Sequence, residues 1–124
     1  MRLSEAIELG SLNTKQIRGI FSDGRDGACA LGAACIGSGV DAMDLTGCSN
    51  YTGIKEKFPI LNLVLDAPVH EGNDGRGRLM SYILWLNDVS LWPRPKIAAW
   101  VRSIEDSLEP VIETVVKKKE TVTI

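Results

Sequence analysis

Gly24-Arg25-Asp26-Gly27-Ala28-Cys29-Ala30-Leu31-Gly32-Ala33-Ala34-Cys35 is the stretch on which the fold turns. A loop of glycine and charge runs directly into a segment of small apolar residues. Glycine and alanine carry little or no side chain, so another backbone can approach this segment closely. The pattern predicts a central helix, beginning between Cys29 and Leu31, with other elements packed tightly around it. Gly37-Ser38-Gly39 sets its end.

On the N-terminal side, Asp23-Gly24 is a strong turn dipeptide. With Gln16 to Phe21 before it and Ala28 to Leu31 after it, the expectation is a β-hairpin feeding the central helix. Further upstream, Leu3, Ala6 and Ile7 recur at helical spacing, which predicts a short first helix packed by its Leu3/Ile7 face. Ser4 is suited to cap that helix and Gly10 to stop it.

Downstream, Val40 to Asn50 is mixed, with a turn at Thr46-Gly47. Tyr51 to Phe58 reads as a short helix, because Ile54 and Phe58 share a face and Pro59 ends it. Ile60 to Leu65 is a compact apolar run, compatible with a buried helical turn or a strand. Asp66 to Gly77 carries Gly72, Gly75 and Gly77 among charged residues, the composition of a surface segment. Arg78 to Asp88 then reads as a helix with a stripe of Leu79, Tyr82, Ile83 and Leu86, widened by Met80, Leu84 and Trp85. A connector with Trp92 and Pro93 leads to a helix opened by Pro95, which needs no N–H there. Ile97, Trp100, Val101, Ile104 and Leu108 give it the best amphipathic pattern in the chain. Arg102 and Asp106 lie one turn apart and are placed to pair. Pro110 is the expected end. The strand-like residues beyond it, around Lys117-Lys118-Lys119, suggest an added strand or a disordered tail.

The fold class expected is therefore α+β, mainly helical: a small helical domain with one β-hairpin near the N-terminus and a C-terminal strand as an option. Residues 1–110 make one globular domain and 111–124 the tail. The predicted core holds Leu31, Ala34, Ile54, Phe58, Ile83, Leu86, Ile97, Trp100, Val101 and Ile104.

In order, Cys29-Ala30-Leu31-Gly32-Ala33-Ala34, then Leu86-Asn87-Asp88, Trp92 and Ile97-Ala98-Ala99-Trp100-Val101-Arg102-Ser103-Ile104-Glu105 form a set that spans about two-thirds of the chain. This set resembles a group of small uncharacterised bacterial and phage proteins. Members of that group often carry a Cys-Pro-x-Cys pair before the Asn-Asp helix, where this chain has Ala67-Pro68-Val69-His70. The group has no assigned activity, so the resemblance bears on fold alone.

Composition narrows function by exclusion. With 14 Lys and Arg against 16 Asp and Glu, the net charge is −2. That balance argues against binding extended nucleic acid, which usually needs a basic face. No apolar run is long enough to span a bilayer and the N-terminus lacks a signal-peptide core. Three cysteines without regular spacing fit a reducing cytoplasm. Cys29, Cys35, Cys48 and His70 are possible soft ligands, but their spacing is not that of paired zinc knuckles, and no metal or cofactor is expected. Cys29 near a helix start with Arg25 upstream is the one candidate nucleophile, and nothing places His70 beside it. The aspartates form no diagnostic pair. Asn87 and Asp88 are read as bonding the backbone of a helix corner.

Two readings of function remain. In the first, the chain is a non-enzymatic binding protein that captures a small anionic, nucleotide-like ligand, as a phage-type sequestering protein would. Arg25, Gly75, Arg76 and Arg78 supply forked donors and loop N–H groups at helix starts, and Trp92 a stacking ring. In the second, it is a protein–protein regulator or assembly subunit acting through apolar helix faces and its C-terminal segment, with a homo-oligomer expected from close Gly/Ala packing.

Overall fold

The first two helices approach each other at backbone contact. In the computed structural model, α1 (Leu3–Ser11) packs its most extensive interface on α2 (Ala30–Gly37). Glycines permit this. A Cβ added to Gly10 would lie 1.7 Å from the Ala33 carbonyl oxygen, and one added to Gly37 would lie 2.0 Å from that of Ala6. On another side of α2, a Cβ on Gly32 would lie 1.9 Å from the Phe21 carbonyl oxygen. Residues Ala30 to Cys35 are all buried, so α2 is the covered centre that its small side chains predict. Its close packing is made against α1 and the Phe21 backbone.

The structure describes residues 1–40, 51–66 and 76–122, with backbone alone at 51, 52, 66, 76 and 109–122. The elements run α1, β1 (Lys15–Gln16), β2 (Gly27–Ala28), α2, α3 (Tyr51–Lys57), a 3-10 helix (Pro59–Asn62), β3 (Val64–Asp66), β4 (Arg76–Arg78), α4 (Leu79–Asp88) and α5 (Arg94–Val122). The domain is α+β and mainly helical. The Thr46-Gly47 turn, Cys48, His70, Gly72 and Gly75 lie outside the described residues.

The N-terminal β unit differs in detail from a simple hairpin. β1 pairs with β2 in parallel, Lys15 opposite Gly27 and Gln16 opposite Ala28, while a single antiparallel bridge joins Ser22 to Ala28. The expected turn closes between them. The Asp23 carboxylate accepts from the N–H groups of Arg25 (2.9 Å) and Gly27 (3.0 Å), which hold it below the ordinary carboxylate pKa. β3 and β4 form a second, antiparallel pair with Leu65 opposite Gly77. The apolar run 60–65 thus supplies both a helical turn and a strand.

Other expectations are corrected. Ser4 does not cap α1; it is a buried residue inside the helix, whose N-cap is Arg2. Gly10 does not stop α1 but lies within it, where α2 demands a residue without a side chain. Arg102 pairs with Glu8 (2.8 Å) and Asp106 with Arg2 (2.8 Å), so both charges tie α5 to α1 instead of to each other. Trp100 and Ile104 pack against the core half-buried, while the other predicted core residues are buried. Neither a C-terminal strand nor a helix end at Pro110 is present, for α5 continues to Val122. A proline removes one N–H, and a helix already nucleated gains a bond with each further residue.

Candidate functional site

The corner between α4 and α5 is polar and buried. Asn87 lies on the inner face of α4, one turn beyond Ile83, and is fully buried. Its Oδ1 accepts from Gln16 Nε2 (2.9 Å) and from the Ala30 N–H (3.1 Å). Its Nδ2 donates to the Ile17 carbonyl (2.9 Å) and to Asp88 Oδ1 (2.8 Å). All four bonds open to an amide are made. Asp88 Oδ1 also accepts from the Gly19 N–H (3.1 Å), which fixes the loop after β1. One side chain thus closes an orphan donor in the first turn of α2 from 57 positions away.

Arg94 sits on the other side of the corner, with 6% of its surface exposed. Its Nη1 donates to Thr14 Oγ1 (2.7 Å) and the Ala28 carbonyl (3.1 Å), and its Nη2 to the Thr14 carbonyl (2.6 Å). Among the described residues no carboxylate pairs with it. Burial lowers its pKa from the ordinary arginine value, yet a guanidinium stays charged, so carbonyl and hydroxyl dipoles carry the compensation. Gln16 joins the halves, donating to the Trp92 carbonyl (2.7 Å) and accepting from the Arg94 N–H (3.3 Å). Between Val89 and Arg94 the chain turns through Leu91, which holds a left-handed φ of 59°.

This centre has the polarity of a site without the chemistry of one. Each named side chain bonds backbone or another member of the cluster. Cys29 caps α2, its Sγ accepting from the Gly32 N–H at 3.4 Å. Burial raises the thiol pKa above its usual value, the opposite of an activated nucleophile. Native protein treated with iodoacetamide at neutral pH should therefore label at Cys29 only after denaturant is added. Fast labelling of the folded chain would restore Cys29 as a reactive thiol. The raised value also fixes a sign: this thiol's contribution to stability is intact below the unfolded value of 9.0 and is lost as pH climbs toward the folded one. Among the described residues no group of three His, Cys, Asp or Glu is gathered as a metal site.

Of the five residues expected to bind an anion, the structure places the side chains of Arg25, Arg78 and Trp92. Arg25 is exposed on the turn before α2, and Arg78 is exposed as the N-cap of α4. Arg76 lies in β4, its side chain outside the described residues, as is Gly75. Trp92 is half-buried against the core, and Lys96 Nζ stands 4.1 Å over its ring, where a ligand would stack. No hydrogen bond, ion pair or ring contact links Arg25, Arg78 and Trp92 among the described residues.

No protein-family model, curated protein or solved structure matches the chain. Function therefore rests on the surface and on the corner just described.

On the surface, α1 and its C-cap carry a shallow groove of about 290 Å³ lined by Glu5, Glu8, Leu9 and Leu12. Leu9 is 46% exposed and Leu12 75%. Glu8 is engaged by Arg102, whereas Glu5 has no ion pair among the described residues. Sequence reasoning missed this groove, since it read only the Leu3/Ile7 face of the first helix. It also missed Thr14, Gln16 and Arg94. A signal existed for Arg94: a cation in the first turn of a helix opposes the helix dipole, so its placement there asks for another reason.

Proposed function

We propose that the chain is a non-enzymatic interaction module that receives an apolar, basic segment on the outer groove of α1. What supports the reading is the exposed Leu9/Leu12 pair flanked by Glu5 and Glu8 on a helix anchored to the core. Buried aliphatic contacts supply affinity, and the carboxylates favour a cationic partner over an acidic one. The closed polar corner accords with a scaffold role. Likeness to the small bacterial and phage group belongs to the same proposal and rests on the residues of α2, α4 and α5 quoted above.

The test is a titration with two labelled model helices, one of leucine and lysine, the other of leucine and glutamate. The basic helix should bind, more weakly as salt rises. A Leu9→Asp/Leu12→Asp variant should lose about tenfold or more in affinity, roughly 1.4 kcal/mol, with its melting temperature nearly unchanged because both leucines are exposed. No binding, or binding indifferent to the variant, would remove this reading.

A second reading keeps an anionic, nucleotide-like ligand, on the observation that Arg25 and Arg78 are exposed and carry no ion pair among the described residues. It requires that an Arg25→Ala/Arg78→Ala variant lose a ligand that the parent binds in a metabolite screen.

A further inference from the structure

Apart from Met1 and Val64, the large aliphatic residues exposed among the described ones fall in two places. Leu9 and Leu12 lie on α1, and Ile20, Val89 and Leu91 lie at the corner where α4 ends. Backbone bonds bring the last three together. Asn87 Nδ2 donates to the Ile17 carbonyl (2.9 Å) and the Gly19 N–H to Asp88 Oδ1 (3.1 Å), so residues 17–20 run beside the end of α4. Gln16 Nε2 ties the same segment to the Trp92 carbonyl (2.7 Å).

Leu91 suits neither its backbone nor its exposure. Its φ of 59° is the one positive value at a non-glycine among the described residues. Such a position just past a helix end ordinarily falls to glycine or asparagine. The side chain packs little in return, since Leu91 is 54% exposed. A leucine held there gains its worth from a surface that covers it. The flanking charges are basic. Arg18 and Lys96 are exposed and in no ion pair among the described residues, and Lys96 Nζ stands over the ring of Trp92, next in sequence to Leu91. Asp88, the neighbouring carboxylate, is engaged by Asn87 and Gly19.

We propose that this corner docks on the Leu9/Leu12 groove of a second copy of the chain. The groove is its complement, two exposed leucines beside the carboxylates of Glu5 and Glu8. Both surfaces are anchored to α2, the groove through the backbone contact at Gly10 and the corner through the Asn87 bond to the Ala30 N–H (3.1 Å). Neither can fold over onto the other, so the corner must find its groove on another molecule. Each copy carries one of each, which makes the contact heterologous. The proposal rests on reading the α1 groove as an interaction surface.

Sedimentation equilibrium on the full chain, from micromolar to hundreds of micromolar, tests it. The parent should associate, more weakly as salt rises. Leu91→Asn should raise the dissociation constant about tenfold or more, yet melt no lower than the parent, because asparagine accepts the left-handed φ. Leu9→Asp/Leu12→Asp should weaken association as much. Mixed in equal amounts, these two variants should associate more tightly than either alone, since one keeps an intact groove and the other an intact corner. A parent that is monomeric throughout, an association that either variant leaves intact, or a mixture no tighter than its components overturns the proposal. If a monomeric parent still binds the leucine–lysine helix, self-docking alone has failed; if it does not, the interaction reading fails as well.

Discussion

Replacing Gly10 by Ala is expected to lower the melting temperature by up to about 8 °C, although the change places a better helix former in the last turn of α1. Propensity alone favours alanine there by about 1 kcal/mol. Against it stands a methyl 1.7 Å from the Ala33 carbonyl oxygen, which no rotamer can relieve because both groups are backbone-fixed. The helices must separate, and overpacking of this kind costs about 1–3 kcal/mol or more. A net loss of up to roughly 2 kcal/mol gives the stated shift at about 4 °C per kcal/mol for a domain of this size. Gly37→Ala, 2.0 Å from the Ala6 carbonyl oxygen, should behave alike. Thermal melts of both variants check the result. A Gly10→Ala protein melting above its parent would mean that α1 and α2 stand further apart than described.

Asn87→Leu is expected to destabilise the fold by about 3–5 kcal/mol, enough to unfold much of a domain whose total stability is about 5–15 kcal/mol. Leucine fills a similar volume but leaves the Ala30 N–H, the Gln16 amide and the Ile17 carbonyl without their partner. The Ala30 N–H is buried and costs about 1–3 kcal/mol when orphaned, and the part-buried Gln16 and Ile17 groups add to it. Asn87→Asp should also lose stability, since a carboxylate cannot donate to Ile17 and would face the Asp88 oxygen now 2.8 Å away. Urea denaturation measures both. A shift within 1 kcal/mol for the leucine variant, on the scale of exposed substitutions, would reduce the corner to an ornament of the surface.

The parts legible in the sequence were those whose cause is local. Small residues at 28–35 announced close packing, and the 3–4 spacings of Leu79 to Leu86 and Ile97 to Val101 announced buried helix faces. What escaped has a long-range cause. Two-residue strands such as Lys15–Gln16 have no periodicity to read, so their parallel pairing with Gly27–Ala28 was invisible. Gly10 looked like a stop because its reason is Ala33, on another helix. The β-branched residues after Pro110 resemble a strand, but α5 is already nucleated when it reaches them. The polar corner was half legible: Asn87 and Asp88 sit where a helix corner needs bonds. Thr14 and Gln16 gave no pattern, because 78 to 80 positions separate them from Arg94, which they bond.

The central claim is that the buried polar corner is a closed clasp holding α2, which leaves function to the surface. Hydrogen exchange at the Ala30 amide tests it most directly, since this N–H is bonded to the Asn87 side chain instead of a helical carbonyl. A closed clasp predicts that Ala30 exchanges as slowly as the Ala33 amide inside α2, by global unfolding alone. Exchange at Ala30 as fast as at the exposed turn of Arg25 would show that the corner opens in the native state, and would contradict the account.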